Sequence, residues 1–199
     1  MALKKISRKK MGELIDEVIG DIRKGDFSRI LNTLQKYKIG IHTVDTYSCT
    51  FLWCVGACIH IFNSPEENKN IVACMQFLID HGADVNYRTN DGETVLYLVA
   101  GLERSNPEAV EMLIRNGADV NCVDKDGSVP LVRAIAGFKD GYPETVTPLL
   151  KAGADPYHKL GEKFFYNTPA EMAAEWVKDN QTQLKTTFFN ALKDTAQRH

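Results

Sequence analysis

Apolar residues along this chain fall into short segments of helical period, and the segments recur. Two of them end in Val110-Glu-Met-Leu-Ile-Arg115 and Val146-Thr-Pro-Leu-Leu-Lys151, and each is followed, one residue later, by Gly-Ala-Asp. Gly82-Ala-Asp-Val-Asn86 returns as Gly117-Ala-Asp-Val-Asn121 and as Gly153-Ala-Asp-Pro156, at spacings of 35 and 36 residues. A second motif keeps step. Asn90-Asp-Gly-Glu-Thr-Val-Leu96 returns 35 residues later as Lys125-Asp-Gly-Ser-Val-Pro-Leu131, and each copy starts eight residues after the glycine of a Gly-Ala-Asp. Two motifs locked in phase define a structural repeat, in which each unit buries its apolar face against its neighbours. The longest apolar stretch, 51–62, is far short of the roughly 18–20 residues that a membrane span needs, so no transmembrane helix is expected.

These motifs resemble the ankyrin repeat, whose unit is a β-turn finger followed by two antiparallel helices over about 33 residues. The resemblance implies an all-α, ankyrin-repeat solenoid of stacked helix–turn–helix units with short β-turn fingers. Each motif has a physical reason in that frame. Gly82, Gly117 and Gly153 stand where an outer helix ends in a left-handed residue, which glycine adopts cheaply. Asp91-Gly92 and Asp126-Gly127 are tight-turn pairs at the finger tips. Thr94 can cap the inner helix, Pro130 suits its first turn, and Leu96 and Leu131 anchor it in the core.

The phase extends outward. Cys49-Thr50-Phe-Leu52 matches the start of an inner helix, with Asp45 at its finger and an outer helix expected over 71–81. Residues 21–34 read as a helix–turn–helix with Gly25 at the turn and Ile30, Leu31 and Leu34 buried. Ile39-Gly-Ile-His42 stands in the place of Gly-Ala-Asp-Val. Asn167-Thr-Pro-Ala-Glu-Met-Ala-Ala174 begins the last inner helix, and 184–192 the last outer one. A basic tail, 1–10, thus precedes a single repeat domain, 11–199, with units at about 11–42, 43–86, 87–121, 122–155 and 156–197. The chain departs from the family in two ways. Trp53, Tyr97, Val132 and Glu171 replace the usual histidine of the inner helix. Extra residues at 64–70, 105–107 and 139–143 are expected to form loops along one edge.

The chain has 199 residues, 44% hydrophobic and 25% charged, in the range of an ordinary globular protein. Its net charge of −2 gives no reason to expect nucleic acid. Lys4, Lys5, Arg8, Lys9 and Lys10 place +5 in the first ten residues, leaving −7 for the remainder, and a block of like charge is expected to fray in solvent. No secretory leader pattern follows the basic start. The odd set Cys49, Cys54, Cys58, Cys74 and Cys122 reads as reduced, buried thiols of a cytoplasmic protein. His60 does not share a helical face with Cys54 and Cys58, so no metal site is expected.

No phosphate-binding glycine loop, nucleophile elbow or His-Glu-x-x-His is present. The recurring Asp84, Asp119 and Asp155 keep the repeat period and read as loop residues rather than an acid–base pair. No enzyme activity and no cofactor are expected. The resemblance implies instead a partner-binding surface on the concave face, from Tyr47, Arg88, Asn90, Asp91, Glu93, Lys125, Asp126 and Ser128 of the fingers and Trp53, Tyr97 and Arg133 of the inner helices. For Trp53 and Tyr97, core packing and partner contact both stay open. The function expected is a monomeric protein-binding module, an inhibitor or toxin-immunity protein with a basic partner to complement the acidic body. An adaptor, a microbial effector delivered to a host, and a small enzyme or ligand-binding protein on the same scaffold are the alternatives.

Overall fold

A computed structural model describes residues 4–62, 64–102, 106–136, 143–176, 186, 188–190 and 192–193. Nine α-helices have their bounds among them: α1 (Arg8–Arg23), α2 (Ile30–Lys36), α3 (Phe51–Ala57), α4 (Pro65–Asp80), α5 (Val95–Ala100), α6 (Pro107–Arg115), α7 (Pro130–Ala136), α8 (Val146–Lys151) and α9 (Pro169–Trp176). Extended pairing among the described residues is confined to isolated bridges at Val44, to Lys5 and to Thr50. The fold is all-α and of ankyrin type. The chain forms two compact units, Met1–Val95 and Leu96–His199.

Local chemistry fixes the helix ends. Ser64 accepts from the Glu67 N–H at 3.1 Å, the Glu67 side chain reaches back to the Ser64 N–H, and Pro65 fills the first turn of α4. Asn106 caps α6 by accepting from the Ala109 N–H at 2.9 Å, and Thr50 caps α3 through the Trp53 N–H at 3.1 Å. At the other end, Gly82, Gly117 and Gly153 have φ of 95, 82 and 92°. That left-handed turn lets the next N–H, of Ala83, Ala118 and Ala154, donate to Leu78, Leu113 and Leu149 at 2.9, 3.0 and 2.9 Å. The glycine and alanine of the repeated motif thus close the outer helices as their spacing requires.

In the first unit α4 packs against α1 and α3, and α2 against α1. Met11, Leu14, Val18 and Ile22 of α1 meet this core, with Phe51, Leu52 and Val55 of α3 and Ile71, Met75 and Leu78 of α4, all buried. In the second unit α7 packs against α8 and α9, and α8 against α6. Leu96 and Leu131, the anchors expected from the motif, are fully buried.

Several expectations are corrected. Residues 64–70 are not a loop: α4 starts at Pro65, six residues before the expected Ile71, because the capping box and proline start the helix there. The basic segment does not fray from Lys4 onward. The Ile6 N–H donates to the Val44 carbonyl at 2.9 Å and the Val44 N–H to the Lys4 carbonyl at 3.1 Å. Ile6 is buried, and Ser7 then caps α1. Leu31 is 38% exposed, whereas Ile30 and Leu34 are buried. The first unit's Gly-Ala-Asp equivalent is shifted by one residue. Lys38, at φ 54°, takes the glycine position, and the Ile39 N–H donates to Leu34 as Ala83 does to Leu78. Of the expected inter-helix insertions, 105 and 139–142 lie outside the described residues. So does most of the last outer helix; its residues 186, 188–190 and 192–193 are helical, and Phe188 is buried.

Candidate functional site

The fingers are built on one repeated device. At the first finger the Asp45 Oδ1 accepts from the Tyr47 N–H at 2.9 Å and the Cys49 N–H at 2.8 Å. At the second the Thr89 Oγ1 accepts from Asp91 and Glu93, at 3.3 and 3.2 Å. Asp124 repeats the pattern at the third, accepting from Asp126 and Ser128 at 2.9 and 2.8 Å. A short side-chain acceptor thus replaces the solvent that these turn N–H groups would otherwise need. Gly92 and Gly127, at φ 81 and 82°, complete two of the turns.

The first two fingers are stapled together. The Asn90 N–H donates to the Tyr47 carbonyl at 3.1 Å, and the Asn90 side chain accepts from the Ser48 hydroxyl at 2.7 Å and donates to the Thr46 carbonyl at 3.3 Å. Between them lies an open cleft of about 200 Å³, lined by Arg8, Tyr47, Cys49, Trp53, Thr89, Asp91 and Glu93. Tyr47 is 62% exposed on its rim, Asp91 is exposed and Glu93 half-buried. Trp53 is half-buried, and its Nε1 is buried without a hydrogen-bond partner.

Arg8 enters this cleft from the N-terminal segment. Its guanidinium lies 5.9 Å from the Trp53 ring centroid and donates to the Asp45 Oδ2 at 2.5 Å. Asp45 has a fully buried carboxylate, so the pair neutralises a charge that burial would otherwise penalise. Hydrogen bonding to Asp45 raises the Arg8 pKa further, and the side chain stays cationic. Burial pushes the thiols of Cys49 and Cys58 up to about 11 and those of Cys54 and Cys74 up to about 12. All five cysteines are free, and the four shifted ones are protonated at neutral pH, which leaves them poor nucleophiles.

In the second unit the corresponding aromatic is enclosed. Tyr97 is only 4% exposed. Its hydroxyl donates to the Asp124 Oδ2 at 2.6 Å, and the Arg133 guanidinium lies 5.4 Å from its ring centroid. Burial first, and the bond to Asp124 second, push its pKa well above the ordinary phenol value. Tyr97 is therefore packed as a core residue, one of the two roles the sequence left open, and Ser128, expected at the finger surface, is likewise buried. Arg133 is half-buried, with its Nε enclosed. Asp126 accepts from Lys163 Nζ at 2.5 Å, and Lys125 is exposed.

The cleft thus brings together Tyr47, Trp53, Asp91 and Glu93 of the expected residues. Asn90 serves mainly as the staple, and Arg88 is exposed next to the second finger. Sequence reasoning missed Arg8, Cys49 and Thr89. The only signal for Thr89 was its place two and four residues before Asp91 and Glu93. It also missed exposed Tyr157 and fully exposed Phe165 in the last unit. Among the described residues no group of three His, Cys, Asp or Glu side chains is placed to hold a metal, and no helix is long and apolar enough to cross a membrane.

Comparison with known proteins agrees with this geometry. A family model for ankyrin repeats, in three copies, matches residues 65–159, just under half of the chain. Human ankyrin repeat and SOCS box protein 6 is 36% identical over 90 residues, 44% of this chain and 21% of that protein. Putative ankyrin repeat protein R664 of Acanthamoeba polyphaga mimivirus is 41% identical over 83 residues, 40% of this chain and 49% of that protein. The chicken nuclear factor NF-kappa-B p105 subunit is 32% identical over 126 residues, 54% of this chain and 12% of that protein. The chain therefore spans between about a tenth and a half of the length of these relatives. Their shared segments, the in-phase glycines and the stapled fingers agree: residues 65–159 of the chain carry ankyrin repeats.

Proposed function

We propose that this chain is a non-catalytic binding module that engages a basic protein partner through its finger face. Ankyrin repeats generally mediate protein–protein contacts. The observation that carries the reading is the cleft at 45–49 and 89–93: a rigid, stapled surface with an exposed tyrosine, a half-exposed tryptophan and two carboxylates. Aromatic anchors on a pre-ordered backbone supply binding energy at low entropic cost. Carboxylates at the rim steer a cationic partner and favour it over an acidic one. The protonated thiols and the structural use of Asp45 and Asp124 support binding over catalysis, because each such group is already engaged or unreactive. Binding as the output fits an inhibitor or immunity protein acting as a cytoplasmic monomer.

Affinity capture of the tagged chain from its native cell, followed by mass spectrometry, tests this reading. The expected result is a partner with a basic surface whose binding weakens as salt rises, since exposed charge pairs are screened. Capture that is indifferent to salt, or that selects acidic partners, contradicts it.

A further inference from the structure

We infer that Arg133 is the seat for one carboxylate of the partner, supplied by a glutamate or aspartate side chain. This contact rests on the protein-binding reading and places a single acid within the partner's basic surface. Three observations carry it.

First, Arg133 is a half-buried cation without a counter-ion. Its guanidinium lies 5.4 Å from the Tyr97 ring centroid, and its Nε is enclosed with no acceptor. Among the described residues no ion pair and no hydrogen bond engages it. The carboxylate at the other end of Tyr97 is already used. The Asp124 Oδ2 accepts from the Tyr97 hydroxyl at 2.6 Å, and its Oδ1 from the Asp126 and Ser128 N–H groups at 2.9 and 2.8 Å. A half-buried charge with no counter-ion is costly, and an anion brought by a partner offsets that cost. Only Nε of the three guanidinium nitrogens is enclosed, so the Nη edge stays within a ligand's reach.

Second, the chain contains the completed form of this arrangement. Trp53 and Tyr97 each stand three residues after a threonine at the start of an inner helix, Thr50 and Thr94. Arg8 lies 5.9 Å from the Trp53 ring centroid, and the fully buried Asp45 carboxylate closes it at 2.5 Å. Arg133 over Tyr97 repeats the guanidinium and the ring and has no such carboxylate. The missing group is therefore an acidic side chain, the natural mate of a guanidinium fork. Third, the fork is held before any ligand arrives. A Cβ at Gly101 would lie 2.8 Å from the Arg133 Nε and 3.2 Å from its Cζ, so the absent side chain is what lets the guanidinium pack there. A fork fixed between a ring and a backbone needs little further ordering to bind.

The test uses the full chain carrying nitrogen-15 arginine and follows the Arg133 Nε–H resonance, assigned by its loss in Arg133→Lys. The probes are N-acetyl-glutamate methylamide, its neutral isostere N-acetyl-glutamine methylamide, N-acetyl-alanine for a chain-terminal carboxylate, and inorganic phosphate, all at constant ionic strength. The expected result is a saturable shift with the glutamate probe, at a dissociation constant on the order of 10–100 mM, and binding of the glutamine probe weaker by about fivefold or more. Gly101→Ala keeps the charge and pushes the guanidinium aside, and should weaken the glutamate probe by about threefold or more while the spectrum keeps its dispersion. Equal response to the glutamate and glutamine probes, or no response at about 200 mM, overturns the seat. So does a Gly101→Ala variant that binds as the wild-type protein does. Tighter binding of phosphate or of N-acetyl-alanine than of the glutamate probe overturns the acidic side chain as its occupant. The two readings fail separately. A captured partner with no probe binding sinks the seat and leaves the binding module. Probe binding with no protein partner in any capture sinks the binding module and leaves a carboxylate site.

Discussion

The Tyr97 hydroxyl donates to the Asp124 carboxylate at 2.6 Å, tying an inner helix to the finger of the following repeat. Tyr97 occupies the position where the family usually has histidine, and a buried phenol now reaches the finger instead. Tyr97→Phe removes the donor and leaves the ring. Because the acceptor is charged, the expected loss is about 1.5–3 kcal/mol of stability, read as a lower urea midpoint with an unchanged m-value. A midpoint equal to that of the wild-type protein would show that Asp124 is satisfied by its backbone donors alone.

The docked N-terminal segment has its own test. Arg8→Ala leaves the buried Asp45 carboxylate with its turn N–H bonds but without its cation. Arg8 is itself half exposed, which screens the pair, so the expected cost is about 1–3 kcal/mol. Lys9→Ala, whose pairing with Glu13 at 3.9 Å is exposed on both sides, should stay within about 0.5 kcal/mol. Equal effects of the two substitutions in thermal denaturation would return residues 4–10 to the status of a solvated tail.

Much of the fold was legible because the repeat writes its backbone requirements into small residues. Gly82, Gly117 and Gly153 need positive φ, and their 35- and 36-residue spacing fixed the ends of three outer helices. Leu96 and Leu131 followed in phase and are buried. The misreading of the N-terminal segment comes from partners distant in sequence. Counting charges at 1–10 could not show that Ile6 would pair with Val44, or that Arg8 would find Asp45 37 residues away. Tyr97 stayed open between core packing and partner contact because nothing in its own segment shows that Arg133 will cover it. The start of α4 was legible in Ser64-Pro65-Glu66-Glu67, a capping box with proline in the first turn, but the family's usual length argued for a loop there. Of the candidate site, Tyr47, Trp53, Asp91 and Glu93 came from the repeat position alone, and the cleft that unites them depends on the Asn90 staple.

Two glycines with the same φ of 82° should respond differently to alanine. At Gly117 an added Cβ meets nothing within 4 Å, so Gly117→Ala should cost only the left-handed backbone strain, about 1–2 kcal/mol. At Gly127 the Cβ would lie 2.7 Å from the backbone nitrogen of Gly161, which cannot swing aside as a side chain would. Gly127→Ala should therefore cost clearly more than Gly117→Ala in the same denaturation series. Equal costs would mean that the loop carrying Gly161 moves freely off the third finger.

Alkaline pH should destabilise the chain. The Cys54 and Cys74 thiols have folded pKa values of about 12, above an ordinary value of 9. Between those limits the unfolded chain releases the proton and the folded chain keeps it, so stability falls as pH rises from about 9 toward 12. Each thiol contributes a slope of up to about 1.4 kcal/mol per pH unit. Urea midpoints under reducing conditions should be level from pH 7 to 8.5 and decline above 9, and Cys74→Ala should make the decline shallower. A midpoint that stays level to pH 11 would contradict the burial of these thiols.

The central claim, that the stapled fingers form the binding surface, is tested most directly by the dissociation constant of the captured partner for paired variants. Tyr47→Ala with Glu93→Lys removes the exposed ring and reverses one charge at the cleft. Glu111→Lys makes the same reversal on the exposed face of α6, beside Arg115 and not among the residues lining the cleft. With circular dichroism unchanged, the finger variant should weaken binding at least tenfold, about 1.4 kcal/mol, and the α6 variant less than twofold. A finger variant that binds as the wild-type protein does, or an α6 variant that loses as much, would contradict the account.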